Sequence, residues 1–161
     1  MGKLHPDSEE ISELVERYSN VLLKVAYSYL NNLQDAEDMV QDTFIKVIHK
    51  KVTFQNEEHE KAWLIRVTIN QCKNHLRTVW NRKTVSLNED IVFTQEESEV
   101  MAAVSQLTEK YRSVFVLYYV TGYSLKEIAA LLKRKEATVS SQLQRARNQL
   151  KSILKEDFDY E

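Results

Sequence analysis

Only two glycines and one proline occur in this chain of 161 residues. The tight turns of a β-sheet protein usually depend on those two residue types. A sheet protein of this length would need many such turns, so the sequence favours an all-helical fold. The length fits one domain or two small ones.

Three further features limit where the chain can work. No apolar run approaches the length of a membrane span, and the N-terminus lacks a signal-peptide pattern. The single cysteine, Cys72, excludes an intramolecular disulfide and fits a reducing compartment. These features predict a cytoplasmic location.

Apolar residues at helical spacing predict two helical domains. In the first, residues 1–81, helices are expected from just after Pro6 to the break at Asn31-Asn32, over about 34–50 and over about 61–80, with Val15 and Ile48 among the core positions. Residues 82–98 lack such spacing and are interpreted as a linker. In the second domain, residues 99–161, helices are expected over 99–106 and 109–121, followed by a helix pair. Thr108 and Gly122 are expected to cap the helix over 109–121.

Charge is strongly segregated along the chain, although the net charge is only −2. Residues 61–83 hold six basic side chains and no acidic ones, and residues 107–155 hold ten basic against three acidic. Residues 84–99 between them hold five acidic side chains and no basic ones. This order suggests two nucleic-acid surfaces joined by an acidic linker. Ordinary solvated helix faces, and for the linker a merely disordered tether, are the alternatives.

The helix pair SLKEIAALLKRKEATVSSQLQRARNQL, residues 124–150, is typical of a helix-turn-helix DNA-binding unit. Ser124 and Glu127 form a capping-box pattern at its start. The turn carries Lys133, Arg134 and Lys135 where a glycine is common. The second helix leaves side chains exposed that suit base edges and phosphates: Thr138, Ser140, Ser141, Gln144 and Arg145. A plain helical hairpin with a polar face is the alternative.

The expected second helix carries an acidic face. Asp35, Asp38 and Asp42 stand at i, i+3 and i+7, with Glu37 and Gln41 beside them. Such a like-charged face indicates docking to a basic partner, rather than solvation alone or a carboxylate metal site. The third helix instead combines cations with amides.

Together these segments resemble bacterial RNA polymerase sigma factors of the extracytoplasmic-function (ECF, group 4) type. DAEDMVQDTF at 35–44 resembles the family helix that docks on the β′ clamp helices of core RNA polymerase. WLIRVTIN at 63–70, continuing to Asn74 and Arg77, resembles the helix that recognises and melts the −10 element. The helix-turn-helix resembles the domain that reads the −35 element, through matches that include Arg112, Ser124, Glu127, Thr138, Ser141 and Arg145.

The resemblance implies a role for each group of residues. Polymerase binding falls to Asp35, Glu37, Asp38, Gln41 and Asp42. Contacts to −10 DNA fall to Lys61, Arg66, Asn70, Lys73, Asn74 and Arg77, with the preceding loop, residues 52–60, holding an unstacked base. Contacts to −35 DNA fall to Arg112, Lys126, Lys133, Arg134, Lys135, Thr138, Ser140, Ser141, Gln144 and Arg145. Asn74 departs from the aspartate that many relatives carry.

The implied partners are core RNA polymerase (through the β′ clamp helices and the β flap), promoter DNA and an anti-sigma factor, possibly membrane-anchored. Cys72 and His75 have C-x-x-H spacing, but one such pair cannot make a structural zinc site. The sequence contains no phosphate-binding glycine loop or catalytic triad, so no enzyme, cofactor, metal or small-molecule substrate is expected. A stand-alone helix-turn-helix regulator, whose N-terminal domain senses or dimerises, is the alternative.

Overall fold

The computed structural model describes residues 8–78 and 95–158, and these form seven α-helices and no strand. The helices are α1 (Ser8–Leu30), α2 (Leu33–Lys50), α3 (Glu57–Thr78), α4 (Gln95–Val104), α5 (Glu109–Tyr119), α6 (Leu125–Leu132) and α7 (Glu136–Phe158). They belong to two compact units, Met1–Asn88 and Glu89–Glu161. The predicted all-helical class is confirmed.

In the first unit α1, α2 and α3 pack against one another around a shared core. Leu22, Val25, Val47, Leu64 and Ile65 are fully buried there. Asn31, in the left-handed region with φ 52°, ends α1, and Asn32 caps α2 by accepting a hydrogen bond from the Asp35 N–H at 2.9 Å. The Asn31-Asn32 break therefore fixes where the two helices part.

In the second unit α7 packs against α4, α5 and α6. Its buried face consists of Val139, Leu143, Ala146 and Leu150, the spacing expected from the sequence. Gly122 has the expected left-handed backbone, with φ 80°. However, α5 already ends at Tyr119, and Thr108 precedes α5 without a side-chain capping hydrogen bond.

Two helix starts differ from the sequence prediction. α3 begins at Glu57 instead of Lys61, because Asn56 caps it: Oδ1 of Asn56 accepts from the N–H of His59 at 2.8 Å. α4 begins at Gln95, inside the expected linker. Apolar spacing could not predict this start, because the first turn of α4 has no apolar residue. Trp80 and linker residues 82–94 lie outside the described residues.

Two expected core residues face solvent. Val15 on α1 is 38% exposed and Ile48 on α2 is 51% exposed, and Ile45 beside it is 47% exposed. These exposed apolar side chains mark a surface of the first unit.

Among the described helices, none is long and apolar enough to cross a membrane.

Candidate functional site

The acidic residues of α2 do not all have the same surroundings. Glu37, Asp38, Gln41 and Asp42 are exposed. Asp35 is only partly exposed, and its Oδ2 lies 3.2 Å from Nε2 of His75 on α3. Asp35 therefore joins α2 to α3, while the other four present a polar, acidic surface.

An open groove of about 510 Å³ runs between α1 and α2 beside this surface. Val15 and Leu23 line it from α1, and Val40, Phe44 and Ile45 line it from α2. Glu37 and Gln41 form its polar edge. The acidic face is thus continuous with an apolar one, a combination that suits an amphipathic helix with basic residues.

Five of the six residues expected at −10 DNA share one side of α3. At about 100° per residue, Arg66, Asn70, Lys73, Asn74 and Arg77 fall within roughly 100° of arc around the helix axis. All five are exposed except Lys73, which is partly buried. Lys61 lies on a different side of the helix, near its first turn. α3 therefore presents a basic and amide-bearing strip without Lys61.

The loop before α3 is ordered by its own contacts. Lys51 ends α2 with a left-handed backbone, φ 52°. The N–H of Gln55 donates to Nδ1 of His59 at 3.1 Å. The Phe54 ring packs edge-on against His59 and Trp63, at centroid distances of 5.5 and 5.7 Å. A preformed loop of this kind can hold an unstacked base without ordering itself first.

Sequence reasoning missed a tie between α1 and the first turns of α3. The Tyr18 hydroxyl donates to Oε1 of Glu60 at 2.7 Å, and Arg17 Nη1 donates to the same oxygen at 3.1 Å. Burial, and then the hydrogen bond to Glu60, raise the pKa of Tyr18 to about 12. No local pattern could reveal this tie, because its partners are 42 and 43 positions apart.

The start of the helix-turn-helix has the geometry that its sequence predicts. Ser124 Oγ accepts from the N–H of Glu127 at 3.1 Å, and Oε1 of Glu127 accepts from the N–H of Ser124 at 2.9 Å. This capping box fixes the first residue of α6. The side chains expected to read DNA are then exposed on the turn and on α7: Lys133, Lys135, Thr138, Ser140, Ser141, Gln144 and Arg145, together with Lys126 on α6.

All three arginines expected at −35 DNA have intramolecular hydrogen-bond partners. Arg112 is partly buried, and its Nη1 donates to the carbonyl oxygen of Leu107 at 2.5 Å. Arg134 donates through Nη1 to Oε1 of Gln142 at 2.8 Å. Arg145 stays exposed, and its hydrogen bond to Tyr111 lowers the pKa of that phenol.

An aromatic cluster on α5 was also not expected. Arg147 donates through Nε to the Tyr119 hydroxyl at 2.6 Å, and its guanidinium lies 5.6 Å from the Tyr118 ring centroid. Phe115 packs on Tyr119 with centroids 4.6 Å apart. Arg147 is therefore used to join α7 to α5.

Within residues 8–78 and 95–158, no three His, Cys, Asp or Glu side chains converge as metal ligands would. Cys72, the single cysteine of the sequence, is buried on α3 and takes part in no intramolecular disulfide. The exposed chemistry of the described surface includes cations, amides, hydroxyls and the acidic face of α2 beside an apolar groove.

Two family descriptions match the chain: Sigma-70 region 2 over residues 14–82 and Sigma-70, region 4 over residues 97–150. The ECF RNA polymerase sigma factor SigE of Mycolicibacterium smegmatis is 31% identical over 88% of this chain, which spans 60% of that protein. The ECF RNA polymerase sigma factor SigW of Bacillus subtilis is 26% identical over 93% of this chain and 91% of that protein.

A solved structure is similar as well. The sigma factor RpoE of Bartonella quintana, crystallised with the anti-sigma factor NepR, matches with a TM-score of 0.69 and 26% identity, over 89% of this chain and 98% of that one. Two helical units that match sigma regions 2 and 4 in order define the class of protein. The chain belongs to the ECF group of the sigma-70 family.

Proposed function

We propose that this protein binds core RNA polymerase and directs it to a subset of promoters, without catalytic activity of its own. The observation that carries the proposal is the pairing, in one chain, of an acidic docking face with two separate DNA-suited surfaces in the order of sigma regions 2 and 4. Because this function requires access to core polymerase and chromosomal DNA, we also propose that the protein acts in the cytoplasm.

The proposed polymerase surface consists of Glu37, Asp38, Gln41 and Asp42. Their exposure supports it, and so does the adjoining groove, because a helical partner could bury apolar side chains there while its cations meet the carboxylates. Asp35 belongs to the proposed surface at its edge, since its carboxylate also meets His75.

The proposed −10 surface is the strip Arg66, Asn70, Lys73, Asn74 and Arg77 together with the loop before α3. Cations hold the backbone, and amides and a preformed loop suit an extruded base, whose removal from the duplex costs a few kcal/mol. Lys61 lies off this strip, and we assign it at most a contact to flanking phosphate.

The proposed −35 surface is the exposed side of α7 and the turn before it. Thr138, Ser140, Ser141, Gln144 and Arg145 lie on the half of α7 that would enter the major groove. Lys126, Lys133 and Lys135 supply charge for phosphates. Arg112 would support this surface indirectly, by donating a hydrogen bond to the backbone carbonyl of Leu107.

An anti-sigma factor is the proposed regulator. The solved relative from Bartonella quintana is a complex with such a factor. We propose that the regulator of this chain covers surfaces that polymerase needs. Membrane anchoring of the regulator is also proposed, although no feature of this chain requires it.

Promoter-specific run-off transcription with purified core polymerase tests the proposed function. Added protein is expected to produce a defined start at its own promoter, where core polymerase alone produces none. If no specific start appears and the protein alone binds a palindromic operator tightly, the stand-alone regulator is the correct interpretation.

The docking face is tested by reversing its charge. Asp38→Lys with Asp42→Lys is expected to weaken core-polymerase binding at least tenfold, about 1.4 kcal/mol, because two favourable charge contacts become repulsive. The control is Glu9→Lys with Glu13→Lys, the same change of charge at exposed positions of α1. Equal loss in both variants would mean that net charge alone controls binding.

A further inference from the structure

The three cations of the helix-turn-helix turn do not have equivalent positions. Lys133 and Lys135 are exposed, whereas Arg134 is only partly exposed. Its Nη1 donates to Oε1 of Gln142 on α7 at 2.8 Å, and Gln142 is partly buried as well. The middle cation of the turn is therefore directed at the second helix of the pair.

The backbone of this turn needs support, because a residue with a Cβ is left-handed in it. Lys133 has φ 57°, a conformation that side chains other than glycine disfavour. The N–H groups of Lys133 and Arg134 both bond to the carbonyl oxygen of Ala129, which closes α6. The Arg134–Gln142 bond adds the side-chain tie that runs from the turn to α7.

We propose that Arg134 and Gln142 form a clip that sets the angle between the turn and α7, so that Gln142 is a positioning residue for the DNA-reading helix. In this arrangement Lys133 and Lys135 contact backbone phosphates and Arg134 does not. The inference rests on the proposed DNA-binding function and changes the role of one residue within it.

Charge and geometry favour this division of labour. A hydrogen bond from a guanidinium is stronger than one between neutral groups. Turning Arg134 outward to a phosphate would break it and remove the partner of a partly buried amide oxygen. It would also place three adjacent cations together in solvent, where they repel. Keeping Arg134 on Gln142 leaves two cations, one on each side, free to reach the DNA backbone.

The clip itself is tested without DNA, by a double-mutant cycle in the full-length protein. Arg134→Met and Gln142→Met keep the aliphatic stems and remove the bond. We expect the two changes to be non-additive, with a coupling of at least about threefold in the unfolding equilibrium constant. The matched control is Gln149→Met, an exposed glutamine two turns further along α7, which should add simply to Arg134→Met. Additivity at Gln142 would overturn the clip.

The positioning role is tested by the salt dependence of binding to a mixed-sequence DNA duplex. A lost phosphate contact reduces the slope of log K against log salt by about 0.9, and this is expected for Lys133→Met and for Lys135→Met. Arg134→Met and Gln142→Met should instead lower affinity severalfold at every salt concentration, with the wild-type slope. A reduced slope for Arg134→Met, or unchanged affinity, would overturn the role.

The two experiments separate failure of the inference from failure of the proposed function. If the wild-type protein binds no duplex at any salt concentration, the positioning role is contradicted, whatever the cycle shows; the proposed function is contradicted only if run-off transcription with core polymerase also gives no specific start. If the lysine variants lose slope and the cycle is additive, DNA binding stands and the clip does not.

Discussion

Single side chains on α1 hold the first turns of α3, which lead into the proposed −10 surface. Tyr18 is 6% exposed, and its hydroxyl shares the Glu60 carboxylate with Arg17. Because the loop over residues 51–56 runs directly into α3, the Tyr18 hydroxyl on α1 fixes where the loop of the proposed −10 surface ends.

This tie should appear in the pH dependence of stability. The pKa of Tyr18 is raised from 10.0 to about 12, so the folded state favours the protonated phenol. Its contribution is fully present below about pH 10 and is lost as the pH rises towards 12. Since solvent reaches the Arg17–Glu60 ion pair that shares this hydrogen bond, we expect the Tyr18 hydroxyl to contribute roughly 1 kcal/mol to the free energy of unfolding. The measurement is denaturant unfolding of wild type and Tyr18→Phe from pH 8 to pH 11.5; a constant difference between them would contradict the assignment.

The left-handed residue of the helix-turn-helix offers a second measurement at this scale. Lys133→Gly should be more stable than Lys133→Ala by about 1 kcal/mol, because both remove the charge but only alanine keeps a Cβ at φ 57°. The control is Ala130→Gly at an exposed position inside α6, where glycine should be destabilising by about 1 kcal/mol. If glycine changes the stability relative to alanine in the same direction at both positions, the backbone of residue 133 does not have φ 57° in solution.

α2 and α3 are joined by a buried polar contact as well as by apolar packing. Thr43 on α2 and Thr68 on α3 are fully buried, and their hydroxyl oxygens lie 3.0 Å apart. Each hydroxyl also lies within bonding distance of a carbonyl oxygen one turn earlier, Met39 and Leu64 respectively. Since the pair carries only two hydroxyl hydrogens, only two of these three contacts can be hydrogen bonds at one time, and the two hydroxyls act as a unit that sets the register between α2 and α3.

Substituting this pair should give non-additive losses. Thr43→Val and Thr68→Val are each expected to cost about 1 kcal/mol of unfolding free energy, because each leaves a buried oxygen short of a partner. The double variant should cost clearly less than the sum, since both polar groups are then gone. Exposed Thr53→Val is the control, with no expected change. Strict additivity would mean that the hydroxyls do not interact.

At the scale of the whole molecule, each unit has a core of its own. Leu22 is fully buried in the first unit, and Leu143 is 2% exposed in the second. Both tryptophans, Trp63 and Trp80, lie in the part of the chain that contains the first unit. Tryptophan fluorescence therefore reports one unit, while far-ultraviolet circular dichroism reports the helices of both.

Core substitutions should consequently separate the two unfolding transitions. Leu143→Ala is expected to destabilise the second unit by about 2–5 kcal/mol, which shifts the dichroism transition and leaves the fluorescence transition in place. Leu22→Ala should shift the fluorescence transition by a similar free energy. If Leu143→Ala moves both signals together, the two units unfold as one.

Local signals in the sequence were enough for the helical class, the order of the two helical units, the capping box of Ser124 and Glu127, and the buried face of α7. Each of these depends on residues within a few turns of one another, so spacing alone carries the information. The family resemblance also followed from such local runs, and the region 2 and region 4 matches agree with it.

Only the tertiary structure decided which members of a local pattern are used. Val15 and Ile48 have core-like spacing but are exposed, and Val15 lines the groove between α1 and α2. The neighbouring helix, which is distant in sequence, determines which part of an apolar stripe is covered. For the same reason the partners of Asp35, Tyr18 and Arg134 could not be derived from spacing. The partner of a side chain depends on distance in space, and the partners of Asp35 and Tyr18 come from a distant part of the sequence.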